Sequence, residues 1–150
     1  MPSRRGANDQ RPQMDLVLSG QPESELLLRD LAGTLGIWLG FASDRVDDLK
    51  TAVCEAFLNA VEHGNAGRQD EPVSVVFQVK PGQLQVIVTD GGWGRLPDVL
   101  PRPGHPDRVS GWGLYFMREL MDRVDLQRLP DGRNEVRMVM RLEAASAGVG

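Results

Sequence analysis

Apolar positions recur along the chain with two periods, and the switches between them outline the elements. "MDLVLSG" alternates over a few residues, which predicts a short strand. "PESELLLRDLAGTLGIWLGF" carries Leu27, Leu28, Leu31, Leu35 and Trp38 at helical spacing, with Pro22 near the start. "SDRVDDLKTAVCEAFLNAVEHGN" is the clearest helix. Ser43 suits its N-cap, Asp44 and Asp47 its positive end, and Gly64 its stop. "PVSVVFQVK" and "QLQVIVTD" flank Pro81-Gly82 and predict a hairpin. Residues 91–109 hold six glycines and prolines beyond the opening Gly91-Gly92, so they form a loop. Helical spacing returns in "GWGLYFMRELMDRV", and "VDLQRLPDGRNEVRMVMRL" forms a second hairpin turning at Asp131-Gly132. No internal repeat interrupts this order. Two helices followed by hairpin, helix and hairpin make a mixed α/β two-layer sandwich.

Composition narrows the function. A chain of 150 residues fits one domain, and 41% hydrophobic with 25% charged residues is ordinary for a globular protein. Net charge is −4, with no basic run able to track a phosphate backbone, so nucleic acid is not an expected partner. Cys54 is the single cysteine, which rules out an internal disulfide and suits a reducing cytoplasm. Its apolar helical setting makes it a small core residue. The N-terminal "MPSRRGANDQRPQ" lacks the apolar stretch of a signal peptide, and no segment reaches the ~18 apolar residues of a membrane span. Residues 1–12 read as a disordered leader, 13–143 as the single domain and 144–150 as a flexible tail.

Three polar groupings are not accounted for by the core. On the second helix, Val46, Leu49, Val53, Ala56, Phe57 and Ala60 gather on the side that faces the sheet. Glu55, Asn59 and Glu62 gather opposite, with His63 at the edge. A solvated face is one reading, but Asn costs helix stability there and brings nothing to it. The other reading is that the amide one turn from a carboxylate serves a hard cation such as magnesium. "VTDGGWG" ends an apolar strand in Asp90 and follows it with Gly91, Gly92 and Gly94. It is either a plain turn or a place where a flat ring approaches and its amino group bonds Asp90, as adenine would. "SGWGL" opens a helix with Gly111 and Gly113, where uncovered amides at the positive dipole end can seat phosphate. Neither Lys50 nor Lys80, the only lysines, has the context of a Walker-type loop. Charge on a triphosphate would then fall to backbone amides, magnesium and an arginine such as Arg108 or Arg102.

In this order the three groupings resemble the nucleotide-binding boxes of the GHKL ATPase superfamily. "EAFLN" looks like the first box, "DGGWG" like the Asp-x-Gly-x-Gly box and "GWGL" like the Gly-x-Gly-Leu box. The resemblance implies the Bergerat ATP-binding fold: an α+β sandwich with a mixed, mostly antiparallel sheet and helices on one face. It also implies ATP and Mg2+ as cofactors, with Glu55 as general base and Asn59 as magnesium ligand. Asp90, Gly92, Gly94, Arg108, Gly111, Gly113 and Leu114 would complete the nucleotide site.

Within the superfamily, a single domain leaves no room for a transducer domain. His63 and His105 are the only histidines, and neither sits on a phosphoacceptor hairpin. Sixteen residues between Gly94 and Gly111 make a short lid. Over about residues 14–142 the chain resembles the anti-sigma-factor serine kinases of partner-switching systems. That implies phosphorylation of a serine or threonine on a STAS-domain anti-sigma antagonist, alternating with inhibition of a sigma factor. It implies a homodimer too, with "MDLVLSG" pairing at the sheet edge. Trp93 and Trp112, at the variable positions of the glycine boxes, either pack against the lid or helix or mark a docking face. Two other functions stay open: a module that binds ATP and sequesters a partner without phosphorylating it, and a detached histidine-kinase-like domain.

Overall fold

The computed structural model describes residues 12–96 and 109–142. The chain runs β1 (Gln13–Leu18), α1 (Pro22–Leu39), α2 (Ser43–Asn59), β2 (Val73–Lys80), β3 (Gln83–Thr89), α3 (Val109–Leu120), β4 (Arg123–Arg128) and β5 (Asn134–Arg141). The strands form one sheet in the order β1-β2-β3-β5-β4. All four pairings are antiparallel, where a mixed and mostly antiparallel sheet was expected. Each hairpin turns at a glycine in the left-handed region, Gly82 at φ 67° and Gly132 at φ 92°.

One face of the sheet carries the core. Val73, Val75 and Phe77 of β2, Leu84, Val86 and Val88 of β3, and Val136, Met138 and Met140 of β5 are buried against the helices. From the helical side come Leu49, Val53, Ala56 and Phe57 of α2 and Leu114 and Met117 of α3. Burying side chains of this size contributes roughly 1.5–3 kcal/mol each. On the opposite face one cross-strand row runs Asp15, Val76, Ile87, Arg137 and Asp125, polar toward the edges and apolar in the middle. Among the described residues no helix is long and apolar enough to cross a membrane.

Two details depart from the sequence reading. In α1 the buried row is Leu28, Ala32 and Leu35, while Leu27 and Trp38 are 52% and 66% exposed. Gly33 and Gly36 decide this, because their missing side chains let α2 approach. A Cβ on Gly36 would lie 3.3 Å from both Leu49 and Val46. In α2, Ser43 is the first helical residue rather than the cap; Ala42 holds the cap position and no side chain bonds there. Sequence order also positions the site. Since β5 inserts between β3 and β4, the end of β3 lies beside the start of β5, and Asp90 meets Asn134.

Candidate functional site

The site begins on α2. Near its end the helix widens into one π turn, Ala60–Gly64, a feature that recurs at functional sites. Asn59 closes the α-helical part and is buried, although it lies on the polar side. α3 covers it: a Cβ on Gly113 would come within 3.0 Å of Asn59 Nδ2 and of Glu55 Oε2. Glycine at this point therefore lets the α3 backbone lie directly on the acid–amide pair. Neither side chain has a hydrogen-bond partner among the described residues. Burial pushes the Glu55 carboxyl above its ordinary range, with Glu25 and Glu62 adding to the effect and Arg29 opposing it.

Asp90 is nearly fully buried, and its two oxygens differ sharply. Oδ1 accepts from the Gly92 amide at 2.7 Å, from Asn134 Nδ2 at 2.9 Å and from the Asn134 amide at 3.4 Å. Oδ2 has no partner among the described residues. It lies against Gly64, where a Cβ would overlap the carboxyl group. A buried acceptor without a donor costs about 1–3 kcal/mol unless something supplies one. Desolvation raises the pKa of Asp90, while the Gly92 and Asn134 hydrogen bonds and Arg128 pull it back.

The glycines after Asp90 serve the chain's own packing more than open access. Gly92, at φ 75°, packs on the carbonyl of Gly132, and Gly94 packs on the carbonyl of His63. Trp93 is half-exposed, with the Arg68 guanidinium 3.8 Å over its ring. Gly111 lies in the first turn of α3, where amides lack intrahelical acceptors, and Gly113 lies beyond that turn. Leu114 is fully buried in the core, so its packing role is direct. Arg102, Arg108 and His105 fall outside the described residues, as does the Trp112 side chain.

Three residues unmarked by the sequence reading complete the arrangement. Asn65 is fully buried, accepts from the Gly91 amide at 2.6 Å, and donates to the Pro72 carbonyl at 3.3 Å. Asn134 donates to Asp90 and, at 2.8 Å, to the Gly94 carbonyl. Arg128 reaches the carbonyls of Gly92 and Gly94 from β4. Asparagine beside glycine reads as turn chemistry in a sequence, and only contacts across 26 and 44 residues reveal these roles.

An orphaned buried acceptor, a glycine-covered acid–amide pair and a helix N-terminus thus adjoin at one end of the sheet. Residues 21–140 match the histidine kinase-like ATPase domain family. The chain is 35% identical over 123 residues to the serine-protein kinase RsbW of Bacillus subtilis, covering 76% of this chain and 77% of that one. It is 32% identical over 120 residues to the serine-protein kinase RsbW of Listeria innocua, covering 74% and 76%. Among solved structures, the RsbU and RsbW domains of a Mycobacterium tuberculosis protein superpose with a TM-score of 0.63 at 20% identity, over 87% of this chain. This chain spans 32% of that protein, and at such identity the likeness concerns the fold alone. The chain belongs to the histidine kinase-like ATPase family and, within it, to the serine-protein kinases.

Proposed function

We propose that this kinase is ATP- and magnesium-dependent, that it phosphorylates a serine or threonine of a STAS-domain anti-sigma antagonist, and that it otherwise binds and inhibits a sigma factor. The observation that carries the proposal is the unpartnered Glu55–Asn59 pair lying under the N-terminal turns of α3. Phosphoryl transfer asks for positioning and charge neutralisation more than covalent help. Glu55 accepts the proton of the attacking hydroxyl, and its raised pKa brings a carboxylate closer to the range where a base works well. Asn59 would hold magnesium, which would supply charge neutralisation at the phosphates. Asp90 Oδ2 accepts from the adenine amino group, which would satisfy the orphaned atom. Amides of the first α3 turn at Gly111 face phosphate. Gly92, Gly94, Gly113 and Leu114 hold these pieces together by packing, and Arg108 contributes charge at the terminal phosphate.

The protein works in the cytoplasm, in keeping with its single buried thiol. It forms a homodimer through β1. That strand is a sheet edge carrying Val17 at 75% exposure, and Ile37 and Trp38 stand exposed on α1. Pro12, Met14, Leu35, Trp38, Phe77 and Val79 line an apolar cleft next to it.

Transfer of radiolabelled γ-phosphate with magnesium to a STAS-domain protein from the same genome tests the proposal. Acid-stable label on that protein is the expected result. Acid-labile label points instead to a histidine acceptor. No label despite measurable ATP binding leaves a sequestering module.

A further inference from the structure

The hydrogen bonds around Asp90 form a directed relay. Arg128 Nη1 donates to Asn134 Oδ1 at 3.4 Å, and the Asn134 amide then directs Nδ2 at Asp90 Oδ1 and the Gly94 carbonyl. With one end occupied by a guanidinium donor and the other facing two acceptors, the amide has one favourable orientation; turning it over would set oxygen against oxygen. The Gly92 and Asn134 amides add two more donors to the same Asp90 oxygen. Oδ1 is therefore saturated, and Oδ2 is the only acceptor left for a ligand.

We propose that Asn134 and Arg128 are specificity-determining positioning residues, which keep Asp90 an acceptor only and so select a purine bearing an amino group over one bearing an oxo group. The inference rests on the reading of Asp90 as the base-binding carboxylate. An ionised carboxylate accepts from an amino group and repels a carbonyl oxygen, whereas a protonated carboxyl can donate to that oxygen. Donors gathered on Oδ1 favour the ionised form. Among the described residues Arg128, reaching in from β4 beyond β5, is the charged group that acts on Asp90, and it works in the same direction. Neither Asn134 nor Arg128 needs to touch the ligand.

The test is isothermal titration of the full chain with the magnesium salts of ATP and of inosine triphosphate, which carries an oxo group where adenine carries its amino group. The unaltered protein prefers ATP by at least about 100-fold, since a site built to hydrogen-bond one group leaves buried atoms unpaired with the other. Asn134→Leu, similar in volume and without a donor, narrows that ratio by about tenfold, the equivalent of one lost side-chain hydrogen bond to a charge. Arg128→Gln, at an exposed position that leaves the fold intact, narrows it by about threefold, one step further along the same relay. Equal weakening of both nucleotides by either variant, with the ratio held, means that the relay only supports structure, and overturns the inference. Asp90→Asn separates this failure from failure of the underlying reading. If it reverses the preference while the Asn134 and Arg128 variants hold it, the relay alone falls. If Asp90→Asn leaves the ratio unmoved, the base-binding reading of Asp90 falls, and the relay with it.

Discussion

The two ends of the site are built in opposite ways. At Asp90 the protein supplies its own partners: three donors on Oδ1, a guanidinium over the Gly92 and Gly94 carbonyls, and Asn65 on the Gly91 amide. Around Glu55 and Asn59, on the helix just before the start of that network at Asn65, it supplies none among the described residues. Both carboxyls are nonetheless pushed toward the protonated form by burial. The difference matches the two tasks proposed above. Selecting a ligand by shape needs one fixed acceptor, held so tightly that it cannot turn to suit another ligand. Moving a proton and holding a hydrated cation needs groups free to change partners. At Asp90 the orphaned oxygen costs stability, as preorganised sites commonly do.

Removing the free end gives the largest effect. Glu55→Gln keeps the shape of the side chain and abolishes its basicity, so phosphate transfer falls by about 10²–10⁴-fold while nucleotide affinity stays within about twofold. Unchanged transfer removes Glu55 from the mechanism. Activity of the unaltered protein declines on the acid side at a pH above the 4.5 of an ordinary glutamate, because the raised group protonates earlier. Asp90→Asn follows in size. Loss of a hydrogen bond to a charged acceptor is about 1.5–3 kcal/mol, or roughly 10- to 100-fold in affinity for ATP. Its stability moves the other way. A carboxyl whose pKa is raised in the folded state binds its proton more tightly there, so stability falls as pH rises from 3.8 toward the raised value. The variant lacks that loss: its melting temperature at pH 7 equals or exceeds that of the unaltered protein, and the two converge below pH 3.8. A lower melting temperature across the whole range means that Asp90 braces the fold and that its free oxygen is incidental.

Much of this was legible because the apolar periods are long and uninterrupted. The apolar face of α2, the turns at Gly82 and Gly132, and the burial of Cys54 all follow from spacing. What spacing could not give was the choice between adjacent rows on α1. Leu27 and Leu28 are equivalent to a periodicity argument, and the glycines that admit α2 settle it for Leu28. Ser43 likewise has cap chemistry but sits one residue inside the helix. At the site, Asn59 stood out as a poor helix former one turn from Glu55, and Asp90 as the polar end of an apolar strand. Asn65, Asn134 and Arg128 did not, since each sits where a turn or strand end would place such a residue anyway. Their meaning is tertiary: the topology that seats β5 beside β3 brings Asn134 to Asp90.

Gly113→Ala probes the seam between α3 and the free end. The added Cβ meets Asn59 Nδ2 and Glu55 Oε2 at 3.0 Å, and both are ends of side chains able to shift by a few tenths of an ångström. Helix propensity favours alanine by about 1 kcal/mol, which raises the melting temperature by about 2–4 °C. Transfer falls about tenfold, as catalytic groups tolerate little displacement. A variant both more stable and fully active means that α3 moves off α2 during turnover and that the contact is not part of the working site.

Arg68→Ala is the smallest change and fixes where the rigid end stops. The guanidinium lies 3.8 Å over the half-exposed Trp93 ring, one residue from Gly92 and Gly94. At an exposed position this stacking is worth about 0.5–1 kcal/mol, so the melting temperature drops by about 1–4 °C. Because neither Arg68 nor Trp93 bonds to Asp90, Asn134 or Arg128, ATP affinity stays within about twofold. A loss of tenfold or more would extend the preorganised region outward to Trp93. The contrast between the two ends would then be one between a held wall, indole included, and a free floor.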